Sequence, residues 1–129
     1  MWYNDAMEKL LTIQDISSIT GLSTYTLRYY ERIGLLGRVD RDENGYRRYT
    51  ETDISCIDFL IKLRKTKMPI SDMQEFAELR RKGNSSVKER RALLETHQEN
   101  VIKQIKELED NLLKINQKID YYKKLEEQS

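Results

Sequence analysis

Arg28 and Arg32 stand four residues apart in the run Ser23-Thr24-Tyr25-Thr26-Leu27-Arg28-Tyr29-Tyr30-Glu31-Arg32, and Tyr25 and Tyr29 repeat that interval beside them. On a helix such residues share a face, so the segment presents a row of guanidinium groups next to a row of phenols. Arginine forks onto a phosphate or onto the edge of guanine, and a tyrosine hydroxyl donates to a phosphate oxygen. That is the chemistry of a helix lying on DNA. The same residues also suit an amphipathic surface helix with half-buried tyrosines and solvated arginines, so the segment alone leaves both readings open.

The flanking sequence supplies what such a helix needs to be held in place. Thr12 is a helix cap with Asp15 three residues on, an imperfect capping box, and Ile13 and Ile16 fall on the inner face of the helix it starts. Gly21 allows the positive φ of a sharp turn, Ser23 caps the second helix, and Leu27 faces its core side. Together these predict a helix-turn-helix. After Gly34-Leu35-Leu36-Gly37, the pair Asn44-Gly45 predicts a two-residue hairpin turn with positive φ at both positions. Its flanks, Arg38 to Arg41 and Tyr46-Arg47-Arg48-Tyr49, make a basic wing, where a hairpin built to cover a core would alternate apolar and polar residues. Thr24, Tyr25, Arg28 and Tyr29 are therefore expected in the major groove, with Tyr46, Arg47 and Tyr49 gripping flanking phosphates.

Further on, the pattern predicts helices from about Glu51 to Thr66 and from Pro69 to Arg81, the first burying Ile54, Ile57, Leu60, Ile61 and Leu63 against the helix-turn-helix. From Ser86 to Glu127 the apolar residues follow a heptad. Leu94, Val101, Leu108, Ile115 and Tyr122 form one column, and Ile105, Leu112 and Ile119 a second that begins with the polar Gln98. At about 1.5 Å per residue this helix runs roughly 60 Å, too long to bury its stripe on so small a domain, so it needs a partner helix.

The ordered series Thr12-Ile13, Thr20-Gly21-Leu22-Ser23, Thr26-Leu27-Arg28-Tyr29-Tyr30-Glu31-Arg32, Gly34-Leu35-Leu36 and Asn44-Gly45-Tyr46-Arg47-Arg48-Tyr49 resembles the DNA-binding domain of the MerR family of bacterial transcription regulators. The likeness continues through Asp53-Ile54, Ile57-Asp58-Phe59, Leu63-Arg64 and Thr66-Lys67-Met68-Pro69-Ile70 into the long helix, and covers Thr12 to Leu125. Its central and C-terminal parts are most similar to the AdhR-like, aldehyde-responsive subgroup. The resemblance implies a mainly α fold: a winged helix-turn-helix followed by a long C-terminal helix that dimerises as an antiparallel coiled coil. It places Arg64 at a phosphate-contacting position, with Lys67 close to the same backbone. It also implies RNA polymerase as a partner at a promoter that the dimer bends and untwists. Relatives usually carry glycine where Lys67 stands, often proline at Arg38 and commonly alanine at Ser17. If position 67 requires positive φ, Lys67 is strained there.

The chain thus divides into an N-terminal extension (1–11), a winged helix-turn-helix domain (12–82), and a linker with the dimerisation helix (83–129). At 129 residues it is too small for a large-core enzyme, and no catalytic constellation is present. A net charge of +1 is mildly against nucleic acid, but the arginines concentrate in the first half while the long helix balances lysine with glutamate. Asp40, Asp42 and Glu43 dilute the wing, so affinity is expected to depend on a dimer engaging two half-sites. No stretch reaches membrane-spanning length and no signal peptide is visible in the mixed-charge Met1 to Lys9, which points to the cytoplasm. Trp2 and Tyr3 lie outside the family likeness and have no assigned role.

Cys56, the one cysteine, reads as a buried core residue, with a thiol sensor as the alternative. The sensing cysteine of the resembled subgroup aligns with Lys62. His97 reads as solvated or interfacial, and neither a cofactor nor a metal site is expected. The function expected is a homodimeric, sequence-specific regulator on palindromic double-stranded promoter DNA. A coiled-coil adaptor that binds protein instead is the alternative, distinguished by the absence of salt-dependent affinity for any duplex.

Overall fold

The computed structural model describes residues 11–37 and 39–129, so the readings of Trp2, Tyr3, Arg38 and the polar start of the chain lie outside the described residues. The elements are α1 (Ile13–Thr20), α2 (Thr24–Arg32), β1 (Asp40–Arg41), β2 (Arg47–Arg48), α3 (Glu51–Lys65), α4 (Ile70–Arg81), a 3-10 turn (Gly83–Ser86) and α5 (Val87–Gln128). The described residues form two compact units, one running from residue 11 to residue 91 and the other from 92 to 129. This is the mainly helical, winged helix-turn-helix arrangement expected, ending in one long helix.

Local chemistry sets the helix limits. Thr12 and Asp15 close a complete capping box, with the Thr12 N–H donating to Asp15 Oδ2 at 3.0 Å and the Asp15 N–H to Thr12 Oγ1 at 3.1 Å. An aspartate, shorter than the usual glutamate, still reaches. Thr50 and Asp53 repeat the device at the start of α3. The Ser23 hydroxyl accepts from the Thr26 N–H at 3.1 Å and starts α2.

α2 and α3 end in the same way. At the end of α2, Leu35 N donates to Tyr30 O and Gly34 N to Glu31 O; at the end of α3, Met68 N donates to Leu63 O and Lys67 N to Arg64 O. Both are Schellman motifs, whose turning residue takes the left-handed conformation. Gly34 has φ 82°, and Lys67 stands in the equivalent place at φ 70°. The sequence expectation of a strained Lys67 therefore holds: a Cβ meets its own carbonyl there, at a cost of about 1–2 kcal/mol.

The wing departs from the expected turn. The strands pair Asp40 with Arg48 and Arg41 with Arg47, and beyond them Asp42 N donates to Tyr46 O and Gly45 N to Asp42 O. The loop is thus three residues, Glu43-Asn44-Gly45, and only Gly45 has positive φ (82°). Asp42 Oδ1 accepts from the N–H groups of Asn44 (2.9 Å) and Tyr46 (3.0 Å), an Asx turn that favours the longer loop over the two-residue one.

Ile13, Ile16, Leu27, Tyr30, Leu35, Leu36, Tyr49, Ile57, Leu60, Met68 and Met73 form the core between α1, α2, α3 and α4. Leu11, which the sequence placed in the extension, is buried and exchanges both backbone hydrogen bonds with Tyr49. α4 begins one residue later than expected, with Pro69 as its N-cap. No helix among the described residues is long and apolar enough to cross a membrane.

Candidate nucleic-acid interface

α2 turns Leu27 and Tyr30 inward, which leaves the other face to solvent: Arg28 and Arg32 are exposed, Thr24 and Tyr29 half-buried, and Tyr25 is 72% exposed. The Arg32 guanidinium lies 5.4 Å from the centre of the Tyr29 ring, which stiffens the arginine without neutralising it. Arg28 has no ion pair among the described residues.

Beside α2, a groove of about 350 Å³ is lined by Thr12, Ile13, Gln14, Arg28, Gly45, Tyr46, Arg47 and Arg48. Three elements meet there: the N-terminus of α1, the exposed face of α2 and the tip of the wing. Among the described residues its lining holds three guanidinium groups and no carboxylate, but Arg47 and Arg48 are each paired with a carboxylate just outside it, so Arg28 is its one guanidinium without an ion pair among the described residues. A second hollow, of about 450 Å³ and lined by Glu31, Val39, Asp40 and Arg41, carries two carboxylates and suits an anion far less.

The wing's arginines are held by carboxylates. Arg47 Nε reaches both Glu31 oxygens at 3.1 and 3.2 Å and its Nη2 reaches Glu31 Oε2 at 3.1 Å. Their side chains are 19% and 20% exposed, so the fork is partly shielded from water. These hydrogen bonds to Glu31 raise the Arg47 pKa further above its ordinary range, so its charge is permanent. Arg41 lies 4.0 Å from the same carboxylate, and Arg48 pairs with Asp42 at 2.6 Å. Arg47 thus ties wing to recognition helix while still lining the groove. Glu31 was not among the site residues expected from sequence, because its partner is 16 residues away and no local spacing marks it.

Tyr49 requires a correction. Expected to grip a phosphate, it is 0% exposed, and its hydroxyl is buried with no hydrogen-bond partner among the described residues. Pairing with Leu11 turns the ring into the core, and burial followed by the nearby Glu31 charge pushes its pKa up. It supports the wing from beneath. Tyr46, by contrast, is exposed at the wing tip. Arg64 and Lys67 are exposed around the end of α3, without an ion pair among the described residues. Gln14 and Arg48, absent from the expected set, line the groove.

Cys56 is buried on α3 with Arg80 donating to its Sγ. Burial pushes its thiol up, and the opposing effect of Arg80 is smaller, so it is a neutral packing group and not a poised nucleophile. His97 is buried, not solvated. No metal-holding group of His, Cys, Asp or Glu occurs among the described residues.

In the second unit, Ile105, Leu108, Leu112, Ile115, Ile119 and Tyr122 are exposed, and Leu94 and Val101 are half-buried. All eight lie on α5, a helix of 42 residues.

The MerR HTH family regulatory protein model matches residues 11–79. An uncharacterized HTH-type transcriptional regulator of Haemophilus influenzae is 40% identical over 104 residues, 81% of this chain and 77% of its own length. AdhR of Bacillus subtilis, an HTH-type transcriptional regulator, is 34% identical over 92 residues, 71% of this chain and 66% of its own. The structure of HiNmlR, a MerR family regulator lacking the sensor domain, bound to promoter DNA, superposes with a TM-score of 0.82 at 37% identity, covering 90% of this chain and 92% of that one. With the capped helix-turn-helix, the wing and the long helix in the same order, the chain belongs to the MerR family of HTH regulators.

Proposed function

We infer that the protein is a homodimeric, sequence-specific transcription regulator that binds two-fold symmetric promoter DNA. The observation that carries this reading is the arginine-lined groove where the α1 N-terminus, the wing tip and Arg28 of α2, which has no ion pair among the described residues, converge. A phosphate fits its charge and size, and a duplex lying there brings α2 into the major groove. Thr24, Tyr25, Arg28 and Tyr29 read base edges or adjacent phosphates. Tyr46 and Arg47 flank the phosphate path, Arg64 and Lys67 extend it past α3, and Tyr49 acts indirectly by supporting the wing.

The uncovered apolar stripe of α5 supports dimerisation, and the family resemblance supports an antiparallel pairing with the DNA-binding units at opposite ends. Bending and untwisting of the promoter, which realigns its elements for RNA polymerase, follows the same resemblance. The sequence-dependent energy of that distortion then adds to specificity. A DNA-binding role places the protein in the cytoplasm and assigns it no catalytic step.

Selection of bound duplexes from a random library at two salt concentrations tests the reading. Enrichment of a palindrome, with affinity falling steeply as salt rises, is the expected result. An absence of enrichment at either salt concentration would instead favour the protein-binding adaptor.

A further inference from the structure

α4 carries two long polar side chains seven residues apart, Gln74 and Arg81, and both reach the C-terminal end of α2. Gln74 Nε2 donates to the Ile33 carbonyl at 2.8 Å and Arg81 Nη2 to the Gly34 carbonyl at 2.5 Å. Arg81 is steadied from its other nitrogen, with Nη1 donating to Glu78 Oε2 at 2.7 Å. A Cβ at Gly34 would lie in ordinary van der Waals contact with Arg81 Nη2, at 3.5 Å. Carbonyls at a helix end lack intrahelical donors, so two donors from α4 fix both the end of α2 and its direction.

The other end of the same path is equally tied. The buried Ser86 hydroxyl donates its one proton to the Leu79 carbonyl of α4, with the Gly83 carbonyl a second acceptor within reach at 3.0 Å. From the first turn of α5, Arg90 Nε donates to Ser86 Oγ at 3.2 Å and its Nη2 to the Gly83 carbonyl at 2.8 Å. Hydrogen bonds therefore tie the start of the long helix to the end of α4, and α4 in turn to the C-terminal end of the recognition helix. All of it lies within residues 11–91.

We propose that Gln74 and Arg81 are positioning residues that hold the recognition helix in register with the start of α5, and so set which half-site spacing the dimer accepts. This rests on the regulator reading above. Both contacts are solvent-exposed hydrogen bonds, which add little to stability, whereas their removal frees the end of α2 to pivot. Rotational freedom at each recognition helix is what a dimer needs to tolerate a misplaced half-site. One inserted base pair moves a half-site by roughly 3.4 Å and turns it by about 35°.

The test uses the full-length chain and the palindrome recovered by selection, together with versions carrying one base pair inserted or removed at the centre. Failure of the selection itself would count against the regulator reading, separately from this proposal. The wild-type protein is expected to favour the original spacing. In the Gln74→Ala, Arg81→Ala double variant the preference is expected to shrink by about fivefold or more, with the salt slope and melting temperature close to wild type. Arg81→Lys, which keeps a donor, is expected to restore part of it. An undiminished spacing preference in the double variant would overturn the proposal. So would an equal loss of affinity on all three duplexes, because that marks a general binding or folding defect.

Discussion

Residues 11–91 and residues 92–129 solve opposite problems. The first unit buries its apolar side chains itself, from Leu11 to Ala77, and pairs the wing's arginines with its own carboxylates. The second keeps its apolar stripe in water, with Leu108 67% exposed. Burial of each such side chain against a partner would contribute about 1.5–3 kcal/mol, far above what a solvated helix gains by itself. The contrast teaches that reading DNA and choosing a partner are separable here. One is built inside a single chain, and the other is completed only by a second copy.

Placing charge in the stripe would break that contrast most severely. Leu108→Lys with Ile115→Lys is expected to give a monomer by sedimentation equilibrium and to lower affinity for the palindrome about 100-fold or more, as the second half-site is lost. The near-UV signal of the first unit's buried tyrosines should persist. A stable dimer in this variant would show that the stripe is not the seam.

Arg28→Ala attacks the other unit without touching the stripe. An exposed guanidinium reading a base edge is worth about 1–3 kcal/mol of discrimination. Binding to the palindrome is expected to weaken accordingly, with preference relaxed at one position per half-site and melting unchanged. A uniform loss over all sequences would move Arg28 from base reading to phosphate binding.

The Glu31–Arg47 fork sharpens the comparison further, because the two partners are expected to shift affinity in opposite directions. Arg47→Ala removes a cation from the groove and should lower affinity for every duplex and reduce the salt slope by about one. Glu31→Gln leaves both Arg47 and Arg41 without their shared carboxylate, and should raise non-specific affinity and steepen the slope. Titration of a labelled random duplex at several salt concentrations distinguishes them. If both variants bind more weakly, the fork is only a strut.

What the sequence made legible follows how far apart the interacting residues lie. Thr12 with Asp15 and Ser23 with Thr26 are three residues apart, so the caps, and with them the helix-turn-helix, could be read directly. The spacing of Ile57, Leu60 and Leu63 likewise foretells a buried face on α3, while Ile54 and Ile61, read on the same stripe, are only half-buried. The hairpin turn was misread because Asp42 captures two loop N–H groups, a side-chain contact that Asn44-Gly45 does not announce. Tyr49 looked like its wing neighbours, and only its pairing with Leu11, 38 positions earlier, turns it inward. Glu31 with Arg47, and Gln74 and Arg81 with the end of α2, join residues 16, 41 and 47 positions apart. Such partners have no local period, and folding alone brings them together.

The smallest expected effect concerns the two matching helix ends. Lys67 holds at φ 70° a conformation that Gly34 holds at φ 82°, and only the glycine does so without a Cβ penalty. Lys67→Gly removes that strain and, after the entropy cost of glycine in the unfolded chain, should stabilise the first unit by about 0.5–1 kcal/mol. For a unit of this size the melting temperature rises by roughly 2–8 °C. The same change removes an exposed cation beside Arg64, so affinity for duplex should fall and the salt slope flatten by about one. A protein that melts higher and binds more weakly would mean that strain at Lys67 is maintained for a charge facing DNA. If stability rises while binding and salt slope stay as they were, the phosphate path stops short of this turn, and Lys67 is a surface lysine in an awkward backbone.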